Sequence, residues 1–328
     1  MYAAVPILHI MIECMGAAAR PFQSAENESR IKLRKRPLFN RELRMKVLVV
    51  GSRGMLGTDL MAVLSPAYDV RGIDLPDLDI TQLENCLAKV KELLPDILIN
   101  AAAFTQVDRC ETNEKDAFLI NGYGAGNLAK AATAAGSLLV HYSTDYIFDG
   151  LKQEPYLEED APNPQSVYGK SKLLGETLIR EYCSKHMILR TSWLFGLNGA
   201  NFIRTILDVA RKGAPLRVVN DQKGSPTYSR DLAAHTRIMV EAGCRGTYHV
   251  TNSGSCTWYD LASGALEWAG IHTVPIAPVS TSEFPRPAQR PANSVLANSR
   301  LERDGLPSMR PWQLAAREYV EHNLKKNF

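Results

Sequence analysis

Tyr168 and Lys172 are the residues whose types and spacing point most directly to chemistry. They lie four positions apart, so on a helix both side chains project from the same face. An ammonium group beside a phenol favours the phenolate, so we expect Lys172 to lower the pKa of Tyr168 from about 10 towards the working pH. Such a phenol exchanges a proton with a carbonyl oxygen. The same spacing also occurs by chance on solvent-facing helices.

A glycine-rich loop follows the apolar run 46–50, which predicts a buried strand. Its three glycines are spaced three apart. The first permits a tight turn, the second lets the backbone approach a pyrophosphate at the positive end of a helix, and the third lets helix and strand pack closely. This pattern predicts a dinucleotide site. The predicted contacts are Gly51, Ser52, Arg53, Gly54, Met55, Leu56 and Gly57.

Two residues give opposite indications about which nicotinamide cofactor binds. Asp74 lies 23 residues after Gly51, where a carboxylate accepts hydrogen bonds from the adenosine ribose and favours NADH. Arg53 lies inside the loop, where its guanidinium would pair with the 2′-phosphate of NADPH. The sequence therefore predicts NADPH or NADH without choosing between them.

Further cofactor contacts are expected after the second and third strands. Asp79 and Ile80 precede the next helix and would flank the adenine, although a helix cap explains Asp79 and Thr81 equally well. Small side chains follow the third strand, where they would let the cofactor lie across the strand end. These are Ala101, Ala102 and Ala103.

The elements that must position these residues alternate along the chain with short connections. Strands are predicted at 46–50, 69–74, 96–100, 138–142 and 186–190, and helices at 55–64, 81–93, 115–135 and 166–183. This alternation is typical of a parallel sheet covered on both faces. It predicts an α/β fold with a doubly wound (Rossmann) sheet.

Beyond Trp193 the elements are more mixed, and we interpret them as a smaller C-terminal α/β lobe that binds substrate beside the strand ends. The predicted domains are an N-terminal extension at 1–44, mainly a nucleotide-binding domain at 45–192, and mainly a substrate lobe at 193–328. Within the lobe we predict helices at 201–212, 228–242, 257–269 and 311–324, strands at 216–219 and 246–251, and a proline-rich stretch at 275–291.

Composition narrows the class of protein. The 328 residues are 45% hydrophobic and 22% charged, which is typical of a globular protein. Residues 1–44 carry eight basic and four acidic side chains, so the remaining 284 residues have a net charge of −1, which argues against nucleic acid as a partner. Six scattered cysteines predict reduced thiols, and no apolar run is long enough to span a membrane. A cytoplasmic location is expected.

The first 44 residues show neither a helical nor a strand period. Their apolar stretch from Ala3 to Ala19 is a poor signal peptide, because it lacks a leading basic segment and contains a histidine and a glutamate. The buried strand directly follows Met45. We therefore interpret 1–44 as an extension from an early start codon, with a genuine basic tail as the alternative.

The combination of glycine loop, Ser143-Thr144-Asp145 and the Tyr168/Lys172 pair resembles the extended short-chain dehydrogenase/reductase family. The resemblance places the catalytic hydroxyl, tyrosine and lysine on Thr144, Tyr168 and Lys172. It also implies that substrate contacts Thr144, Asp145 and Trp193, and we expect Tyr142 near the cofactor. Without the family, Thr144 would be a strand-end cap, Asp145 a structural acceptor and Trp193 a core aromatic.

Within that family the chain resembles the dTDP-4-dehydrorhamnose reductases, over essentially all of 45–324. The motifs that carry this are 141–150 (HYSTDYIFDG), 167–172 (VYGKSK), 190–193 (RTSW), 220–227 (NDQKGSPT) and 290–294 (RPANS). The resemblance implies reduction of the C4 keto group of a dTDP-4-keto-6-deoxy sugar for cell-surface polysaccharide synthesis. It leaves a homodimer open. Magnesium is associated with some members, but no carboxylate cluster here can be assigned to it, so any metal ligands stay unknown.

Three other protein classes also resemble this chain. Sugar-nucleotide dehydratases of the same fold follow the catalytic threonine with Asp-Glu, whereas here Tyr146 follows Asp145. Epimerases carry small residues after the serine pair, which Asp145-Tyr146 does not match. The regulatory β subunit of methionine adenosyltransferase shares the fold, loop and Tyr/Lys pair without catalysing a reaction. It departs from the reductases around the Thr-Ser-Trp segment that this chain keeps, and it remains the non-enzyme alternative.

Overall fold

A parallel six-stranded sheet forms the centre of the computed structural model, which describes residues 44–326. Its strands are rich in Val, Ile and Leu and are mostly buried, as expected for a sheet covered on both faces. The strands are β1 (Lys46–Val50), β2 (Asp69–Ile73), β3 (Ile97–Asn100), β4 (Leu138–Thr144), β5 (His186–Thr191) and β10 (Gly246–His249). The predicted α/β doubly wound fold is confirmed.

The strand order is β10-β5-β4-β3-β1-β2, so the winding direction reverses between β1 and β3. In such sheets a ligand crevice lies at the carboxyl ends of the strands at this reversal. The glycine loop and the Ala101–Ala103 segment are the two connections that leave β1 and β3 there. The helices of this part are α1 (Met55–Leu64), α2 (Leu83–Leu93), α3 (Val107–Thr112), α4 (Glu114–Ala117), α5 (Ala125–Ala135) and α6 (Val167–Tyr182).

The predicted single helix over 115–135 is interrupted. A π-helical turn, Phe118–Gly124, joins α4 to α5, and α3 is an additional helix that was not predicted. The turn lies tightly against α6, because a Cβ on Gly175 would lie 2.3 Å from the Asn121 carbonyl oxygen and a Cβ on Gly122 would lie 2.6 Å from Leu174. Apolar periodicity does not register a one-residue bulge of this kind, which is common near functional sites.

The chain after Trp193 builds a second apolar core, formed by residues between Phe195 and Val320. Its elements are β6 (Leu194–Phe195), α7 (Phe202–Arg211), β7 (Leu216–Val219), β8 (Lys223–Gly224), β9 (Thr227–Tyr228), α8 (Ser229–Glu241), β11 (Cys256–Thr257), α9 (Trp258–Trp268), β12 (Ile276–Val279), α10 (Ser299–Arg303) and α11 (Trp312–Lys326). The predicted proline-rich stretch, 275–291, contains β12, which pairs in parallel with β7, and then a short 3₁₀ turn, Thr281–Glu283.

This part of the chain also contributes to the half of the molecule built on the main sheet. Strand β10, predicted as a lobe strand, pairs in parallel with β5 at the edge of the main sheet, and its Tyr248 belongs to the main core. Helix α8 supplies Leu232 and Met239 to the same core. The amino-acid pattern of a strand does not specify its partner, so this crossing back was not foreseen.

The interpretation of 1–44 as an extension concerns residues that, apart from Arg44, lie outside the described part of the chain. The Arg44 guanidinium donates a hydrogen bond to the Ser65 carbonyl. Within 44–326, no helix combines the length and apolarity needed to cross a bilayer. The five cysteines of this part are buried and free.

Candidate active site

The glycine loop has the close backbone contacts that its spacing predicts. Gly51 adopts a φ of +82°, and a Cβ there would lie 2.6 Å from the Ala102 backbone nitrogen. A Cβ on Gly57 would lie 2.0 Å from the Gly51 carbonyl oxygen. Within the described residues no side chain caps the start of α1, and its first turn has no acidic residue. Its free backbone N–H groups and positive end therefore fit a pyrophosphate.

Asp74 fastens this loop. Its Oδ2 accepts hydrogen bonds from the Ser52 hydroxyl (3.0 Å) and the Arg53 backbone N–H (2.8 Å). The Arg53 guanidinium lies 3.7 Å from the same oxygen and donates to the Leu75 carbonyl (2.6 Å). The two residues that give opposite cofactor indications therefore interact with each other. The cofactor roles of both stay predictions.

The other predicted cofactor contacts lie around the same strand ends. Asp79 accepts two hydrogen bonds from Thr81, from its backbone N–H (2.9 Å) and its hydroxyl (2.7 Å). They form a turn before α2 and not a cap of it, because α2 begins at Leu83 with Gln82 as its N-cap. Ile80 is buried, and its carbonyl accepts from the Asn127 amide (2.9 Å). The partly exposed alanines after β3 are Ala101, Ala102 and Ala103.

Thr144 and Asp145 end β4 as a hydrogen-bonded pair. The Thr144 hydroxyl donates to Asp145 Oδ1 (2.9 Å) and accepts from the Tyr146 N–H (3.2 Å), so it also caps a 3₁₀ turn. Burial raises the pKa of Asp145 to about 6, against the opposing effect of hydrogen bonds from Ser294 and Thr144. Thr144 is therefore a strand-end cap and Asp145 a structural acceptor, as considered above. Both side chains also lie beside Tyr168.

Tyr168 and Lys172 lie on the predicted helix, α6, which begins after the Ser166 N-cap. Burial raises the pKa of Tyr168, and hydrogen bonding to Thr144 only partly offsets this. The expectation that Lys172 lowers the pKa of Tyr168 is therefore wrong. The lysine points to β4 instead, where its amine donates to the Tyr142 carbonyl (2.5 Å). Burial also lowers the pKa of Lys172, to about 8.

Tyr142, predicted near the cofactor, has its ring in the core. Its hydroxyl lies 2.8 Å from the Thr236 hydroxyl of α8 and forms a hydrogen bond with it, and burial raises the pKa of the phenol. Only the Tyr142 carbonyl reaches the site, through Lys172. A cofactor role for this residue stays a prediction.

Tyr146 and Arg290 are site residues to which the sequence analysis assigned no role, although both lie in the motifs given there. The Tyr146 ring meets the Tyr168 ring edge-on, with centroids 5.7 Å apart. Arg290 hydrogen-bonds Tyr146 and donates to Asp108 of α3 (2.5 Å). Burial raises the pKa of Asp108, but the bonds from Arg290 and Ala288 outweigh it and leave this pKa low. Arg290 therefore links the proline-rich segment to the site.

Trp193 has a strained backbone, with a φ of +46°. Its ring stacks on Trp258 at 3.5 Å between centroids, and a Cβ on Gly224 would lie 2.3 Å from the indole. Trp193 remains partly exposed. It is therefore both a core aromatic and a flat surface at the lobe boundary, and its substrate contact stays a prediction. Trp258 carried no signal in the sequence.

Residues 44–326 contain no group of three or more His, Cys, Asp or Glu side chains that could hold a metal ion. The polar groups that act on Tyr168 are instead the Thr144 and Tyr146 hydroxyls, the Asp145 carboxyl and the Cys110 thiol. This arrangement suits proton transfer to an oxygen atom.

Residues 45–325 match the protein family described as RmlD substrate binding domain. The chain belongs to the RmlD family. This match begins at Met45 and includes both cores of the structure, the main sheet and the smaller lobe.

Two curated relatives match this RmlD family chain over nearly their whole length. The spore coat polysaccharide biosynthesis protein SpsK of Bacillus subtilis (strain 168) is 43% identical, with 84% of this chain and 97% of the relative covered. The dTDP-4-dehydrorhamnose reductase of Escherichia coli (strain K12) is 38% identical, with the same coverage of 84% and 97%.

A solved structure with the same fold is the dTDP-4-dehydrorhamnose reductase from Bacillus anthracis str. Ames in complex with NADP. It is 37% identical, with a TM-score of 0.83, and the match covers 85% of this chain and 100% of that one. The six-stranded sheet and the lobe of this RmlD family chain are thus arranged as in a reductase.

Proposed function

We propose that this protein is an NADPH- or NADH-dependent reductase that converts the C4 keto group of dTDP-4-dehydro-L-rhamnose to the alcohol of dTDP-L-rhamnose. The observation that carries the proposal is the meeting of Thr144, at the end of β4, with Tyr168 and Lys172 of α6 beside the switch point of the sheet. The names of the relatives support the substrate class.

Tyr168 is the proton donor in this reaction. When bound, the reduced nicotinamide supplies the hydride for C4, and the new alkoxide then needs one proton. Because burial raises the pKa of Tyr168, the phenol keeps its proton until an oxygen of higher basicity forms beside it. The C4 ketone becomes a secondary alcohol, and Tyr168 regains its proton from solvent afterwards.

Thr144 and Asp145 orient the keto oxygen and the neighbouring sugar hydroxyl. The Thr144 hydroxyl can turn from Asp145 Oδ1 to the keto oxygen, because the two acceptors compete for one hydrogen. The buried carboxylate of Asp145 then accepts from the sugar, while Trp193 offers a flat face to the ring. Hydrogen bonds at the keto oxygen strengthen as negative charge develops there.

The glycine loop is the cofactor site in this proposal. The uncapped start of α1 would receive the pyrophosphate, and Arg53 or Asp74 would meet the adenosine ribose. Lys172 would reach the nicotinamide ribose from α6. We expect the reaction to take place in the cytoplasm, where reduced nicotinamide cofactors and nucleotide sugars are made.

The test compares Tyr168→Phe with the native full-length protein. Oxidation of NADPH and of NADH is followed by absorbance in the presence of dTDP-4-dehydro-L-rhamnose. Removing the phenol hydroxyl should lower kcat by about 10²–10⁴-fold, the usual contribution of general acid catalysis, and leave cofactor affinity nearly unchanged.

A matched control is Tyr182→Phe, the same substitution on the last residue of α6. Tyr182 lies beside the Lys130 ammonium at the opposite end of α6 from Tyr168, so the activity of Tyr182→Phe should equal that of the native protein. No cofactor oxidation by the native protein would support the regulatory-subunit alternative. Near-native turnover by Tyr168→Phe would assign the proton to another group.

A further inference from the structure

The short helix α3, which was not expected from the sequence, is tied to two other segments of the chain. Asp108 accepts hydrogen bonds from the Ala288 N–H (3.2 Å) and from the Arg290 guanidinium of the proline-rich segment. The buried Cys110 thiol donates to the Phe104 carbonyl (3.7 Å). A helix of six residues is not stable by itself, so these contacts hold α3 in place.

Glu111, near the end of α3, reaches the helix that carries Tyr168. Its Oε1 accepts a hydrogen bond from the Val167 backbone N–H (2.9 Å), the first N–H of α6. The first four N–H groups of an α-helix have no partner within the helix. The Ser166 hydroxyl accepts from the third of them, that of Gly169 (3.1 Å). Two oxygens therefore bind the start of α6, one from its own N-cap and one from α3.

These two oxygens differ in what they fix. Ser166 directly precedes α6 and moves with it, so its bond shapes the first turn without locating it. Glu111 belongs to another element, so its carboxylate ties the turn to α3. Within residues 44–326, no other element supplies a side chain that directly hydrogen-bonds the backbone of 166–170. The helix dipole also favours a carboxylate at this positive end.

The first turn of α6 lies tightly against the site. A Cβ on Gly169 would lie 2.1 Å from the Tyr146 carbonyl oxygen, so the backbone of α6 contacts the 3₁₀ turn that follows β4. The Tyr146 ring also meets the Tyr168 ring edge-on. This contact limits how closely α6 approaches β4, and the bond to Glu111 keeps the first turn in place.

The position of this turn matters because Tyr168 is its second residue. Its hydroxyl is hydrogen-bonded to Thr144 of β4, so the geometry of the proposed reaction depends on where α6 lies relative to the sheet. Proton transfer needs donor and acceptor atoms about 2.6–3.2 Å apart. A misplacement of about 1 Å can lower a rate by about 10²-fold. A bond that holds the first turn therefore acts on the distance that proton transfer requires.

We propose that Glu111 is a positioning residue, whose carboxylate fixes the first turn of α6 and thereby holds the Tyr168 hydroxyl where it protonates the C4 alkoxide. This inference rests on the proposed function, in which Tyr168 is the proton donor. Glu111 acts through the backbone of α6 and not on the reacting atoms. A helix cap that only stabilised the fold would leave the turnover of the folded protein unchanged.

The first measurement is hydrogen–deuterium exchange at the Val167 amide of the full-length protein, followed by NMR without substrate or cofactor. We expect a protected amide in the native protein and exchange at least about tenfold faster in Glu111→Ala, which removes the acceptor. In Glu111→Gln the side-chain oxygen still accepts a hydrogen bond, so protection should persist. An unprotected Val167 amide in the native protein would overturn the proposal.

The second measurement is turnover with NADPH and dTDP-4-dehydro-L-rhamnose, at a temperature where urea denaturation shows each variant to be folded. Glu111→Ala should lower kcat by about 10–100-fold and leave the KM for NADPH nearly unchanged. Glu111→Gln should keep most of the turnover. The effect of D₂O on kcat should increase in Glu111→Ala, because proton transfer then becomes slow relative to hydride transfer.

Three outcomes of this second measurement would contradict the proposal. Native kcat in Glu111→Ala would show that the bond does not act on Tyr168. Equal losses in Glu111→Ala and Glu111→Gln would show that the acceptor is not what matters. A lower kcat with an unchanged effect of D₂O would show that proton transfer is not the step affected.

The matched control is Glu114→Ala, the same substitution three residues later at the start of α4, where the side chain is exposed. Amide exchange at Val167 and turnover should both stay as in the native protein. Failure of the proposed function is distinguishable, because a native protein that oxidises neither cofactor would refute that function while the exchange result still reports the bond. Full turnover by both the native protein and Glu111→Ala would refute only the role of Glu111.

Discussion

The glycine-loop side of the site and the α6 side both carry charged residues, in opposite surroundings. On the loop side, the side chains of Arg53 and Asp74 are 69% and 26% exposed and lie 3.7 Å apart. On the α6 side, the Arg190 and Glu176 side chains are 3% and 0% exposed and lie 2.9 Å apart. Water screens the first pair, so it contributes little, whereas breaking the second leaves a buried charge.

A second contrast lies within α6 itself. Tyr168, Lys172 and Glu176 follow one another at four-residue spacing, so they share one face of the helix. Glu176 accepts two hydrogen bonds from Arg190 (3.0 and 2.9 Å) and one from Arg180 (2.6 Å). Lys172 forms no ion pair within residues 44–326. One buried charge is therefore compensated and the next is not, which separates a structural role from a functional one.

The largest expected effect on stability is that of Glu176→Gln. The substitution keeps the shape of the side chain but leaves the Arg190 guanidinium buried without its carboxylate. We expect the free energy of unfolding to fall by about 3–5 kcal/mol, measured by urea denaturation. The control is Asp208→Asn, which breaks exposed pairs on α7 and should cost less than about 0.5 kcal/mol. Equal losses would remove the contrast between buried and exposed pairs.

The same ion pair determines how the free energy of unfolding should depend on pH. Burial raises the pKa of Glu176, but the hydrogen bonds and charges of Arg190 and Arg180 outweigh it and lower the pKa to about 2. Because the folded pKa is below the ordinary value of 4.5, this stabilisation is present above about pH 4.5 and is lost as the pH falls through about 2. Denaturation curves from pH 6 to 2 should lose less stability in Glu176→Gln than in the native protein.

A smaller effect of opposite sign is expected for Lys172→Met. The folded pKa of about 8 is below the ordinary 10.5, so burying this amine opposes folding at pH 7 and the cost disappears as the pH rises from about 8 to 10.5. Methionine fills a similar volume without charge. We expect about 1–2 kcal/mol of added stability at pH 7 and a loss of turnover. A destabilised variant would show that Lys172 is compensated like Glu176.

Much of the fold was predictable from the sequence, because β1, β3, β4 and β5 each contain a run of apolar residues and the helices between them carry apolar residues at helical spacing. What escaped prediction depends on tertiary contacts. The π-helical turn before α5 fits α6 through Gly122 and Gly175, and β10 joins the main sheet although its sequence resembles that of any short strand. The local amino-acid pattern indicates neither the π-helical turn nor the pairing of β10.

The site was predictable where it consists of motif residues and not where it consists of their partners. The glycine loop and the helix with Tyr168 and Lys172 lie where the spacing places them. The predicted direction of the pKa shift of Tyr168 was wrong. A four-residue spacing indicates that two side chains share a helix face, but it does not indicate which group the lysine nitrogen contacts. His141 Nε2 lies 3.3 Å from Lys172 Nζ, and aligning the carboxyl ends of β3 and β4 would have placed Asn100 opposite this histidine.

The effect expected on the loop side, for Arg53→Ala, concerns only the preference between the two cofactors. This guanidinium contacts Asp74 and the Leu75 carbonyl, but it is 69% exposed, so it can turn from them towards a 2′-phosphate. Its loss should weaken NADPH by about 1–2 kcal/mol more than NADH, the scale of a partly exposed charge-assisted contact. Titration calorimetry with both cofactors measures the difference, and Arg71→Ala, on the neighbouring exposed strand β2, is the matched control. Equal losses for the two cofactors would remove Arg53 from the 2′-phosphate and leave it only its bonds within the loop.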